Sequence, residues 1–227
     1  MTFDLGGTLR QPWSVWTRPD EMVGLIWEYL VDKGVPVVRD RFLEEMAIIE
    51  KSYRERIRAT YQEMLIDEKI SIALGTFGVE LASDDPVLVE AIDKAMESLE
   101  SVPYPDFEPT MSELVTRNLK LGLITNTSWR LPKDEVENLS RFFSVITTSY
   151  EHGFRKPHPS IFLVTLEKLG VSPDNAIHVG DSEADVVGAR KVGMKSAFIK
   201  RGEKDMVADF VLSSLGDVLE ILDIRQS

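Results

Sequence analysis

Val179-Gly180-Asp181-Ser182-Glu183-Ala184-Asp185, continued by Gly188-Ala189 and Gly193-Met194, sets the carboxylates Asp181 and Asp185 where a short apolar run, Ala176 to Gly180, gives way to a helical stretch from Ala184 to Val192. A strand followed by a helix, with polar groups at the strand's end, is how an open α/β sheet presents residues to a ligand. Taken alone, Asp181 and Asp185 also read as caps on the following helix, because acids near a helix N-terminus favour its dipole.

The same alternation continues outward from this motif. Short apolar runs at Leu121 to Thr125, Phe143 to Thr147, Ser196 to Ile199 and Phe210 to Leu212 read as strands. Thr110 to Lys120, Glu135 to Phe142, Pro159 to Leu169 and Leu215 to Leu222 read as helices. Apolar strands alternating with helices predict a parallel sheet covered by helices, an α/β fold. From about Asp20 to Val102 the pattern is instead helical throughout, with Met22, Leu25, Ile26, Tyr29 and Leu30, then Phe42, Met46 and Ile49, at helical spacing. Asp84-Asp85-Pro86 offers an N-cap followed by Pro in the first turn of a helix. The expected division is therefore an α/β core of residues 1–11 and 104–227, interrupted by a helical module of 12–103.

The chain has 227 residues, 43% of them hydrophobic, enough to bury a core in each part. A formal net charge of -12 argues against a nucleic-acid or anionic-membrane surface, which selects clustered Lys and Arg. No apolar run approaches the roughly 20 residues that cross a bilayer, and Met1-Thr2-Phe3-Asp4 lacks the charged and apolar regions of a signal peptide. A cytoplasmic protein is the expectation. With no Cys, disulfides, thiolate nucleophiles and Cys-ligated zinc are excluded. Nothing in the pattern argues against a homodimer.

Three further segments end apolar runs with polar groups: Phe3-Asp4-Leu5-Gly6-Gly7-Thr8-Leu9, Leu123-Ile124-Thr125-Asn126, and Arg155-Lys156-Pro157-His158-Pro159. Each has an ordinary reading. Asp4 before two glycines suits a turn, Thr125-Asn126 a strand end, and Lys156 a solvated surface. His158 reads as a loop histidine, Arg130, Arg155 and Glu183 as surface charge, and Trp13 and Trp16 as packing residues at a hinge.

The four segments, in this order and each in a strand-to-helix context, resemble the motifs of the haloacid dehalogenase superfamily. In that family they lie on a Rossmann-like core, often with a helical cap inserted after the first motif. The resemblance covers residues 1–11 and 104–227; the cap matches in position, length and helical character only. It implies that Asp4 is a nucleophile attacking phosphorus, with Thr125 and Asn126 binding the phosphoryl group and Lys156 balancing charge on Asp4 and the substrate. It also implies Mg²⁺ held by Asp4, the Gly6 carbonyl and Asp181, with Asp185 supporting from behind. A cation is physically required there, since two like charges 4 Å apart repel by about 4 kcal/mol at an effective dielectric of 20.

The departure is Gly6. Phosphatases of this family carry an Asp at that position to protonate the leaving oxygen, a contribution of about 10²- to 10⁴-fold. Hydrolysis of a small phosphorylated metabolite is the expected reaction, slow on alkyl esters. Haloacid dehalogenation fits Gly6 as well, since halide needs no proton, but it does not need Asp181. A phosphonoacetaldehyde hydrolase-like enzyme would need a cap lysine, for which Lys51 is available. Asp4-Leu5-Gly6-Gly7-Thr8 also resembles the first phosphate loop of actin-fold sugar kinases, which need a second such loop. A non-catalytic binding protein is a further alternative. The Lys51–Arg58 segment, with Lys51, Arg54, Arg56 and Arg58, reads as a solvated helix face that could meet an anion. Finally, Met1-Thr2-Phe3 is short for a central strand of about five residues, so the natural chain is expected to begin upstream.

Overall fold

The computed structural model describes residues 1–12, 19–98, 101–203 and 205–226. They form two units, one of residues 1–11, 102–127 and 133–227, the other of 12–101 and 128–132.

The first unit is built on a six-stranded sheet whose paired strands are all parallel. Its strands are β1 (Thr2–Phe3), β2 (Gly122–Thr125), β3 (Val145–Thr148), β4 (Ile177–Gly180), β5 (Lys195–Ile199) and β6 (Phe210–Leu212), in the spatial order 3-2-1-4-5-6. Every residue of β2 and β4 is buried, as expected of strands covered on both faces and hence apolar along their length rather than alternating. β1 has two residues only, yet it is central: Phe3 stands opposite Leu123 of β2 and Val179 of β4. The strand order reverses between β1 and β4, which makes the crevice at their carboxyl ends the expected ligand position in such a sheet. Asp4 follows β1 and Asp181 follows β4.

The helices that carry the other motifs start on local signals. For α8 (Pro159–Leu169), the cap is His158, whose side chain accepts from the Ser160 amide, and Pro159 occupies the first turn. Ser182 caps α9 (Glu183–Lys191) with Asp185 reaching back to its amide, a reciprocal capping box. Gly188 lies against the Phe162 ring: a methyl group there would fall 2.3 Å from it, so α9 and α8 approach at a distance only glycine allows. The remaining helices of this unit are α5 (Phe107–Thr116), α6 (Lys133–Leu139), α7 (Ser149–His152) and α10 (Asp217–Gln226). α5 begins and ends earlier than the periodicity predicts, because Asn118 adopts a left-handed conformation (φ 56°) that stops the helix. α7, four residues long, is too short to leave a periodic signal.

The second unit contains α1 (Pro19–Asp32), α2 (Arg39–Thr60), α3 (Ile66–Gly75) and α4 (Pro86–Glu97). Their apolar stripes close on one core that includes Ile26, Leu30, Phe42, Ile70, Leu74 and Leu88. Each such fully buried side chain contributes about 1.5–3 kcal/mol relative to exposure. Asp85 accepts from the Val87 amide at 2.9 Å, the cap that Asp-Pro predicts. Residues Ser128–Pro132, which follow β2 in sequence, belong to this unit, and Trp129 is buried in its core.

Candidate active site

The turn after β1 is drawn tight by the Leu5 carbonyl, which accepts from the amides of Leu9 and Arg10 at 2.9 and 3.1 Å. The Asp4 amide donates to the Val179 carbonyl at 2.9 Å, tying the carboxylate to β4. Gly7 has φ +83°, and a methyl group on it would fall 2.3 Å from the Asp181 carboxylate. Glycine is needed here both for backbone conformation and for this approach. A methyl group on Gly180 would fall 2.2 Å from the Asp185 carboxyl carbon, so close packing around carboxylates recurs at the end of β4.

These constraints bring Asp4, Asp181 and Asp185 together, with one oxygen from each within 4.8 Å of the others. Lys156 is 3% exposed, not on the surface as a lone lysine would be. Its Nζ donates to Asp4 Oδ1 at 2.5 Å and to Asp185 Oδ1 at 2.6 Å. Asn126 holds the Lys156 backbone, accepting from its amide at 2.8 Å and donating to its carbonyl at 3.2 Å. Thr125, buried, closes β2 opposite Thr148.

Three carboxylates cluster around one ammonium group, which bonds two of them, Asp4 and Asp185. Burial raises Asp4 most, the Asp185 and Asp181 charges add to it, and Lys156 only partly offsets them, so its carboxyl is pushed up to about 7. Asp181 is raised by burial and by Asp185. Asp185 is held well below the usual carboxylate range despite its burial, by Lys156 and His178. Lys156 is likewise buried, yet Asp185 and Asp4 keep it above its ordinary value. Asp185 is saturated with donors: Lys156 Nζ and His178 Nε2 (3.0 Å) on Oδ1, and the Ser182 amide (3.1 Å) and hydroxyl on Oδ2. The Thr8 hydroxyl lies 3.5 Å from Asp4 Oδ2 and 3.3 Å from Asp181 Oδ1, and its one proton serves one of them at a time. A surplus of hard oxygen donors beside a raised carboxyl suits a divalent cation.

Thr8, His178 and Ser182 were not singled out by sequence reasoning. His178 had a signal, being polar within a run otherwise apolar enough for a doubly covered strand. Arg201 had none: its guanidinium donates to the Thr8 carbonyl at 2.9 Å and grips Asp106 at 2.8 and 2.9 Å, fastening the turn from far along the chain. Among the other candidates, His158 serves as a helix cap, while Lys51, Arg54, Arg56 and Arg58 are all exposed on α2. Trp13 and Trp16 lie outside the described residues.

A parallel 3-2-1-4-5-6 sheet with a buried aspartate–lysine pair and a carboxylate cluster at its switch point defines a hydrolase-type α/β core with an inserted helical unit. The chain belongs to the haloacid dehalogenase-like hydrolases, whose family model matches residues 1–193. It is 33% identical over 126 residues to phosphoglycolate phosphatase of Aquifex aeolicus, covering 53% of this chain and 59% of that one, so the match spans under two thirds of that relative's length. In structure it is similar to a phosphatase of the same superfamily from Thermococcus onnurineus (TM-score 0.63, 28% identity, 97% of this chain and 96% of the other). It also shares its fold with a 2-haloacid dehalogenase from Pseudomonas syringae pv. Tomato DC3000 (TM-score 0.71, 23% identity, 100% and 98% covered). Among the described residues no helix is long and apolar enough to cross a membrane.

Proposed function

We propose that the chain is a Mg²⁺-dependent phosphatase of a small phosphorylated metabolite, with Asp4 as the nucleophile. The observation that carries this reading is the Asp4–Lys156 pair at 2.5 Å inside a cluster of three carboxylates. A catalytic carboxylate must be ionised when substrate arrives, and Lys156 supports that charge through Oδ1, which leaves Oδ2 to attack.

Asp4, Asp181 and the Gly6 carbonyl would hold Mg²⁺, with Asp185 supporting through Lys156 and Ser182. When bound, the ion neutralises the carboxylates and draws charge from the phosphoryl oxygens. The chain's own residues carry the rest. Asp4 attacks phosphorus, the Oδ–P bond forms and the P–O bond to the alcohol breaks. Thr125 donates a hydrogen bond to the transferring group, and Lys156 balances its charge. Asn126 contributes by fixing the Lys156 backbone. Water then attacks phosphorus and releases phosphate, regenerating the Asp4 carboxylate. Gly6 offers no side chain to protonate the departing alkoxide, so esters with good leaving groups, acyl or aryl phosphates, are favoured.

A second reading follows from Gly6 itself: attack of Asp4 on a carbon–halogen bond releases an ion that needs no proton. A panel of aryl, acyl and alkyl phosphates and 2-haloacids, each with and without Mg²⁺, separates the two. Mg²⁺-dependent phosphate release is the expected result. Metal-independent halide release without phosphate release overturns it.

A further inference from the structure

Asp185 is polarised by groups on both sides. Lys156 approaches Oδ1 from the Asp4 side, and His178 Nε2 reaches the same oxygen at 3.0 Å from within β4. The other imidazole nitrogen, Nδ1, lies 2.9 Å from Thr2 Oγ1 on β1. The Phe162 ring meets the imidazole edge-on, centroids 5.1 Å apart and planes at 84°, which fixes the ring's orientation. His178, Asp185, Thr2 and Lys156 are all buried. The result is a continuous internal chain, Thr2–His178–Asp185–Lys156–Asp4, that ends on the proposed nucleophile.

We infer that His178 is a positioning residue of this site: with its proton on Nε2, it completes the donor set of Asp185 and thereby holds Lys156 on Asp4. The tautomer follows from donor and acceptor chemistry, because an ionised carboxylate only accepts, so the nitrogen facing Asp185 carries the hydrogen and Nδ1 takes the Thr2 hydroxyl. Take His178 away and Asp185 Oδ1 keeps one donor only. The Asp185 carboxylate is then held by Ser182 on Oδ2 alone besides Lys156 itself, and the anchor that Lys156 has opposite Asp4 is less firmly fixed. This inference rests on the hydrolytic reading for its kinetic consequences and on geometry alone for the tautomer.

Two variants and one spectrum test it. His178→Leu removes the donor at modest change in volume, and His178→Gln keeps an N–H at similar reach. For the best phosphate ester of the panel, His178→Leu should lower kcat by about 10- to 100-fold, as loss of an outer support does, with KM changed less than about twofold because no substrate contact is lost. His178→Gln should recover to within about threefold of wild type, a rescue that packing of the ring alone would not give. Wild-type kcat in His178→Leu, or equal loss in both variants with unaltered unfolding transitions, overturns the assignment.

The ¹⁵N spectrum of the imidazole in the unmodified protein decides the tautomer without turnover. A slowly exchanging Nε2–H close to the Lys156 ammonium protons is expected. A proton on Nδ1 with a bare Nε2 overturns the inference even if the variants do not fold. A wild-type protein inert on every phosphate ester sinks the phosphatase reading, and the spectrum still settles the histidine.

Discussion

A methyl group built on Gly6 meets nothing within 4 Å, so that position has room for a carboxylate. Gly6→Asp should therefore fold normally and raise turnover of alkyl phosphates by at least about tenfold, given the usual contribution of a positioned acid. No gain in a variant that still binds Mg²⁺ would show that a missing proton donor is not the bottleneck. Asp4→Asn, by contrast, should abolish phosphate release, and retained turnover would remove Asp4 from the nucleophile role.

Asp4 also sets a pH dependence. Its carboxyl is raised to about 7 without metal, chiefly by burial, and a cation competes with that proton. Apparent Mg²⁺ affinity should rise by up to about tenfold per pH unit below this value and level off above it, measurable by calorimetry in buffers of different ionisation heat. For stability the sign is opposite: a carboxyl raised in the folded state stabilises at low pH. The metal-free protein should lose that contribution as pH rises through about 7, and Mg²⁺ should restore it.

At the scale of elements, the turn after β1 is the most constrained piece. Gly7→Ala places a side chain at φ +83° and 2.3 Å from Asp181. It should cost more than about 1 kcal/mol and weaken Mg²⁺ binding, both read from denaturant titrations with and without the ion. If affinity is unchanged, Asp181 is not a ligand. The motifs themselves were legible in the sequence, since strand ends, Gly-Gly turns and helix caps are local signals. The capping box at Ser182 and Asp185 shows the cap that the sequence suggests, and the carboxylate that caps α9 with one oxygen holds Lys156 with the other. What the sequence did not show was the burial of Lys156 or the role of His178, since neither has a local signature that separates it from an ordinary polar residue.

For the whole molecule, the division into units does not follow the chain simply. Ser128–Pro132 comes immediately after the second motif, yet it belongs to the helical unit, where Trp129 is buried. Trp129→Ala should destabilise that unit by about 3–5 kcal/mol, seen as an earlier unfolding transition in urea. An unchanged transition would show that this segment adds nothing to that unit's core. The sequence by itself determined the α/β class, the helical insertion and the four motifs, because periodicity, glycine turns and caps act over a few residues. Only the tertiary structure decided which of those residues meet. Asp4 and Lys156 are 152 positions apart, and it is the 3-2-1-4-5-6 strand order that brings their ends together, in surroundings where burial turns ordinary carboxylates into a site that calls for a cation.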